Sequence, residues 1–294
     1  MAKGASVQHR GEALAATLPP LLVAAERVAT TVAQGVHGRR RVGQGESFWQ
    51  FRQYQPGDAA QRIDWRESAK SQRLYVRETE WEAAQSVFLW RDASASMDWA
   101  SSPALPTKLA RADLLVVALA ALLVRGGERV SLLGTGMPPL SGRVALNRIA
   151  SLIDHPSAPG TAASLPDIEA LPRHAQIVLV GDFLSPLEAI RSTVAGFAAA
   201  GLHGHLLQVL DPAEETLPFD GRVRFEGIEE RDEVMIGRVE TVRDAYVERL
   251  AAHRQGLVAI VRPAGWSFAT HRTDRPPPTA LLALYTALAR LPGD

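Results

Sequence analysis

A chain of 294 residues, 46% hydrophobic and 22% charged, carries enough apolar material for a substantial core in one large domain or two small ones. Its 32 lysines and arginines balance 32 aspartates and glutamates, which argues against a global polyelectrolyte for nucleic acid or membrane surfaces. The absence of cysteine removes disulfides, thiolate zinc sites and cysteine nucleophiles, and fits a reducing cytoplasm.

In chain order, residues 12–34 read as helical with an interruption at Pro19 and Pro20; Leu21, Leu22, Ala25, Val28, Ala29 and Val32 form a helical stripe. The N-terminal MAKGASVQHRGEAL lacks the apolar core of a signal peptide. Residues 35–48 are rich in Gly and Arg and read as a loop that includes the basic run His37 to Arg41, a solvated segment. Residues 51–80 carry aromatics, arginines and a Pro-Gly-Asp turn, and read as short strands and turns. From Val87 onward strands and helices alternate. Strands are expected at 87–91, 129–134, 176–181 and 205–210, with a last one at WSFAT. Helices are expected at 107–125, 145–154, 164–171, 186–200, 239–261 and 278–290. Residues 215–237 lose the helical period and predict a hairpin. Unbroken apolar strands between helices mean a parallel sheet covered on both faces. The longest apolar run, Leu114 to Val124, is too short to span a bilayer and suits a buried helix.

Ligands of a doubly wound sheet bind beyond the carboxyl ends of the strands. At the end of the first core strand stands DASAS, a carboxylate and two hydroxyls at alternate positions: Asp92, Ser94 and Ser96. Asp182 ends the strand IVLVGD, and Thr161 lies in the loop GTAAS; Thr135 competes with it as the distant threonine. All are short, hard oxygen donors. Such a set suits Mg2+, or Mn2+ or Ca2+, and not Zn2+. The competing reading makes Ser94 and Ser96 caps of the next turn and Asp182 the cap of the helix at 186.

The pattern Asp-x-Ser-x-Ser with a distant Thr and a distant Asp resembles the metal-ion-dependent adhesion site of von Willebrand factor A domains. That resemblance implies that Ser94, Ser96 and Thr161 ligate the ion, with Asp92 and Asp182 holding it directly or through water. One position then stays open for a carboxylate from a protein partner. The preceding segment is similar to the hallmark of the bacterial family Domain of Unknown Function 58. Here that hallmark reads Gly43, Gly45, Phe48, Arg52, Tyr54, Gly57, Asp58, Arg62, Ile63, Asp64, Trp65, Ser68, Ala69, Val76, Arg77 and Glu78. The similarity covers roughly residues 35–290. Family members often carry membrane-spanning segments near the N-terminus, and none is legible here. Arg91 stands where an apolar residue is common and brings a guanidinium towards the metal edge.

The expected architecture is a helical segment over 1–34, a β-rich extension over 35–86 and a three-layer, doubly wound, mostly parallel α/β domain of factor A type over 87–294, with a hairpin near 215–237. Arg52, Tyr54, Asp58, Arg62, Asp64 and Trp65 either lock the extension through paired charges and a buried indole or form a docking surface. The function expected is a non-enzymatic, cation-dependent interaction module in the cytoplasm. The family resemblance implies a MoxR-type AAA+ ATPase as partner, since the chain itself has no Walker A loop. No nucleic acid and no direct membrane span are expected. A magnesium phosphatase with Asp92 as acceptor is the enzymatic alternative. It is weakened because Ser94 stands where a second carboxylate belongs and no lysine lies in a clear supporting position. A structural interaction protein with a degenerate site is the third reading. Serine hydrolysis lacks a nucleophile elbow, and His203 and His205 read as surface residues.

Overall fold

The computed structural model describes residues 42–55, 63–70, 73–80, 85–154, 163–226 and 233–289. The helical reading of 12–34, the basic run His37 to Arg41, Asp58, Arg62 and Thr161 lie outside these residues. Two compact units are present, one of 27–84 and one of 1–26 with 85–294.

The smaller unit holds β1 (Val42–Gln53), α1 (Trp65–Ser68) and β2 (Tyr75–Glu80). β1 and β2 pair antiparallel, with register shifts between Val42 and Ser47 and between Phe48 and Gln50. The loop expected over 35–48 is therefore strand from Val42 onward. Gly43 and Gly45 fall in the irregular stretch between Val42 and Ser47, both of which pair with Glu80. Asp64 starts α1: its Oδ1 accepts the Glu67 amide at 2.9 Å, and its carbonyl accepts the Ser68 hydroxyl at 2.7 Å. Ser68 Oγ in turn accepts the Tyr75 amide at 2.8 Å, tying α1 to β2. Trp65 is 64% exposed, so the indole expected to be buried in the extension is at the surface.

The larger unit is a three-layer α/β sandwich. Its sheet runs in the order β4 (Arg129–Leu132), β3 (Ser86–Arg91), β5 (Gln176–Gly181), β6 (His203–Leu210), β9 (Ser267–Arg272), and every pair is parallel. Alternation along β3 sends Val87 and Leu89 to one face and Phe88 and Trp90 to the other. On the first face pack α2 (Lys108–Arg125), α3 (Gly142–Asp154) and α7 (Pro277–Ala289). On the second pack α4 (Leu187–Ala199) and α6 (Arg243–Val261). Helix α2 is buried along most of its length, continuously from Leu115 through Leu123. Each such fully buried leucine or valine contributes ~1.5–3 kcal/mol. Thr107 caps α2 by accepting the Ala110 amide at 3.1 Å, and Gly126 ends it.

After β6 comes a one-turn helix, α5 (Pro212–Thr216), closed by Leu217 in the left-handed region. The antiparallel hairpin of β7 (Val223–Glu226) and β8 (Glu233–Ile236) follows, starting later than expected because α5 takes residues 215 and 216. No helix forms over 164–171. Pro166 falls inside the expected helix and Pro172 directly after it, and Ile168 lies against Gly196 of α4.

The core also takes in two histidines. His205, placed at the surface by the sequence reading, is buried in β6 with its Nδ1 2.8 Å from Ser267 Oγ. Burial, aided by His203, lowers its pKa to about 4. His271 is likewise lowered to about 4 by burial and by the Arg111 guanidinium, which lies 3.0 Å from its Nε2. Both rings are neutral in the fold and charge more readily when unfolded. Their stabilising contribution is complete above the unfolded pKa of about 6.5 and is lost as pH falls towards 4. Urea unfolding should therefore show stability declining from about pH 7 to about pH 5, with a shallower decline in His205→Gln and His271→Gln. Identical slopes in wild type and both variants would discard this account.

Candidate functional site

The sheet order places β3 between β4 and β5, so the chain leaves β3 to opposite sides in succession. That makes the crevice beyond the ends of β3 and β5 the switch point where such folds bind ligands. The pairing of Arg91 with Val180 brings the next residues of both strands to this crevice. Asp92 is fully buried and its amide donates to the Val180 carbonyl at 2.8 Å. Its approach to β5 requires Gly181: a Cβ there would lie 2.9 Å from Asp92 Cβ. Asp92 Oδ1 accepts the Ser94 amide at 2.7 Å, turning the chain into a 3-10 segment over Ala95–Met97.

The hydroxyls then meet. Ser94 Oγ lies 3.1 Å from Ser96 Oγ, and Ser96 Oγ donates to Asp182 Oδ2 at 2.9 Å. Neither serine nor aspartate behaves as the alternative reading required. Ser94 makes no side-chain cap to the 3-10 segment, and α4 is preceded by Pro186 at its N-cap, with no side-chain cap. Asp182 Oδ1 instead accepts the Leu184 amide at 3.2 Å. Between them Phe183 sits at φ 48°, a strained value for a bulky side chain. The segment is secured on both sides: the Asp182 carbonyl accepts Gln208 Nε2 at 2.8 Å, and the Phe183 carbonyl lies 2.7 Å from His253 Nε2. Gln208 is fully buried and its oxygen accepts Arg254 Nε at 2.8 Å.

These oxygens suit a hard cation. The Ser94–Ser96 and Ser96–Asp182 separations are hydrogen-bond distances, and they are also compatible with the ~3.0 Å edge of an octahedron whose ligands stand at ~2.1 Å. Residues Ser94, Ser96, Asp92 and Asp182 would hold such an ion. Among the described residues no group of three His, Cys, Asp or Glu side chains could hold a metal, so the site relies on the serine hydroxyls. Thr135 is not part of it, because its hydroxyl donates at 2.6 Å to the Leu132 carbonyl in the turn after β4. Arg91, expected near the metal edge, is drawn away: its Nε lies 2.5 Å from Asp113 Oδ1 on α2.

A lysine does stand in the site, contrary to expectation. Lys108, first residue of α2, is 1% exposed, and its Nζ lies 2.9 Å from Asp182 Oδ2 and 2.6 Å from Glu214 Oε1. Burial alone would lower its pKa; Asp182 and Glu214 outweigh that and hold it above the usual lysine range. Burial raises the Glu214 carboxyl against the pull of Lys108. Removing one member of such a buried group costs ~3–5 kcal/mol, because the others are left unpaired. Glu214 Oε2 accepts the Asp211 amide at 2.8 Å within a capping box, and Tyr246 donates to the Glu214 carbonyl at 2.6 Å. Lys108 directly follows a cap, but Arg111 and Asp113 stand within the next five residues of the same helix, so the sequence does not single it out.

From this cluster a groove of about 1250 Å³ runs to the β7–β8 hairpin. Ser96, Lys108 and Asp182 line its polar end; Leu217, Phe225 and Ile236 line the other. Phe219 and Phe225 meet edge to face at 5.9 Å, joining the loop after α5 to the hairpin. Of the residues proposed for docking, Arg52 lies on β1, Tyr54 follows it with its amide bonded to the Leu74 carbonyl at 2.8 Å, and Asp64 caps α1. No helix among the described residues is long and apolar enough to cross a membrane.

Three curated relatives are similar over nearly the whole chain. "Uncharacterized protein Rv1480" of Mycobacterium tuberculosis (strain ATCC 25618 / H37Rv) is 29% identical over 279 residues, 89% of this chain and 86% of that protein. "Uncharacterized protein Mb1516" of Mycobacterium bovis gives the same figures. Among solved structures, BatB from Bacteroides thetaiotaomicron aligns with a TM-score of 0.39 at 15% identity, covering 70% of this chain and 98% of that one. An aerotolerance-related membrane protein from Bacteroides fragilis NCTC 9343 aligns with a TM-score of 0.42 at 17% identity, covering 71% and 100%. The family model described as "Protein of unknown function DUF58" matches residues 50–256, and the chain belongs to that family.

Proposed function

We propose that the larger unit is a non-enzymatic, divalent-cation-dependent protein-interaction module of the von Willebrand factor A kind. The observation that carries this reading is the gathering of Ser94, Ser96 and Asp182 at the switch-point crevice, with oxygen separations of 3.1 and 2.9 Å and with Asp92 behind them holding the Ser94 amide. Mg2+ is the ion proposed, with Mn2+ or Ca2+ as alternatives of the same hard-oxygen chemistry. Two carboxylates balance the formal charge of such an ion, the serine hydroxyls add none, and a vertex left to water could take a carboxylate from a partner, with Lys108 beside it offsetting the added charge. The groove leading to the hairpin offers the rest of that partner apolar side chains, Leu217, Phe225 and Ile236, away from the ion. Trp65, 64% exposed on the smaller unit, is in keeping with a second docking surface. The proposed partner remains a MoxR-type AAA+ ATPase acting in the cytoplasm, with this chain as adaptor or assembly factor.

The phosphatase reading gains a lysine, since Lys108 touches Asp182. It stays second because Asp92, its phosphoryl acceptor, is fully buried and engaged by the Ser94 amide.

Isothermal titration should show Mg2+ and Mn2+ binding to the wild type, weakened by about tenfold or more in Asp92→Ala and in Ser96→Ala. Gly181→Ala should weaken it as well, because the added methyl displaces Asp92. Unchanged binding in all three would remove the site from consideration. Partner capture from native lysate should fail in EDTA. Phe225→Ala should weaken capture while leaving ion affinity intact, separating the groove from the ion. Release of phosphate from a generic ester, lost in Asp92→Asn, would instead favour the enzymatic reading.

A further inference from the structure

The reading just given uses Lys108 only as a neighbouring charge. It is among the largest fully buried side chains. Its place is set from three directions: it opens α2 directly after the Thr107 cap, its amide donates to the Trp99 carbonyl at 3.2 Å, and its Nζ bridges Asp182 and Glu214. The oxygen of Asp182 that it touches is the same Oδ2 that accepts the Ser96 hydroxyl. That oxygen is the point where the serine cluster and the lysine meet.

We infer that Lys108 is an internal cation that competes with the divalent ion for the Asp182 carboxylate, acting as a latch released from Asp182 when the ion enters. The inference rests on the cation-site reading and adds what sets its affinity. One ammonium faces two carboxylates. An ion bound by the serines and Asp182 supplies the charge that Asp182 otherwise takes from Lys108, and Lys108 keeps Glu214. The lysine therefore need not leave the interior, and each carboxylate stays compensated in both states. Glu214 is the fixed end of the latch. Its second oxygen is bound to the Asp211 amide, Asp211 Oδ2 accepts the Ser101 amide at 2.9 Å, and Tyr246 anchors its carbonyl. Ion entry would thus shift the balance between α2, which carries Lys108, and α5, which carries Glu214 and borders the groove.

The test is calorimetric titration with Mn2+, together with the thermal midpoint with and without the ion, on the full chain. Lys108→Met removes the charge at similar length. It should raise Mn2+ affinity about tenfold or more, since the ion no longer displaces a cation. It should also lower the ion-free midpoint and enlarge the rise that Mn2+ produces. Because Lys108→Met leaves two buried carboxylates uncompensated, which opposes folding, the double variant K108M/E214Q removes one charge of each sign. It should show the same gain in affinity. Lys108→Arg keeps a cation and should show none of it. Wild-type binding that is matched, not exceeded, by both methionine variants overturns the latch while leaving the cation site standing. Binding by the methionine variants but not by the wild type upholds the latch and overturns the view that the native site fills with an ion. Failure of every variant to bind overturns both.

Discussion

The site depends on one pairing, that of β3 with β5. Parallel strands have no local register signal, and these two are joined only through the sheet and the helices that cover it. Their register sets Arg91 beside Val180, and from it follow the depth of Asp92, the need for Gly181 and the meeting of Ser96 with Asp182. A slip of one residue would turn every side chain of a strand to the opposite face. Val87 and Leu89 fill one core and Phe88 and Trp90 the other, so a slip would exchange aliphatic and aromatic side chains between two packed cores. The chemistry of the crevice is therefore held in place by packing on both sides of the sheet.

Charge at the crevice is arranged in a chain. Arg254 holds Gln208, Gln208 holds the Asp182 backbone, and the Asp182 side chain meets Ser96 on one side and Lys108 on the other. Phe183 accepts a strained backbone at the centre of this chain. Strain of this kind persists where the surroundings over-determine a conformation, and the bonds from Gln208 and His253 supply that determination. Arg111 plays a comparable part elsewhere, donating to the Thr273 and Arg275 carbonyls and joining α2 to the segment before α7.

The extension shows how one segment serves two purposes. Asp64 and Ser68 are spent on structure, closing α1 and tying it to β2. Trp65, the neighbour expected to pack inside, faces outward. A cap needs a short oxygen-bearing side chain at one position only, and the next residue of a helix points elsewhere. The motif therefore contains both a structural and an exposed residue, and no composition rule separates them.

Alternation of apolar strands with helices sufficed to read the parallel sheet, and DASAS and GD at strand ends sufficed to locate the oxygen cluster. Both follow from local rules: side-chain periodicity and the tendency of doubly wound sheets to bind at their carboxyl edge. The helix expected over 164–171 failed because its prolines outweigh a short stretch of favourable residues, and the strand from Val42 was missed because its partner lies more than twenty residues away in β2. Lys108 and Glu214 were illegible as site residues. They are separated by more than one hundred positions, and nothing in either neighbourhood announces the other. Sequence alone determined the kind of oxygen at the crevice and the strands that deliver it. Only the tertiary structure decided which cation already touches it, because a buried ion pair is a property of what packing brings together and water leaves behind.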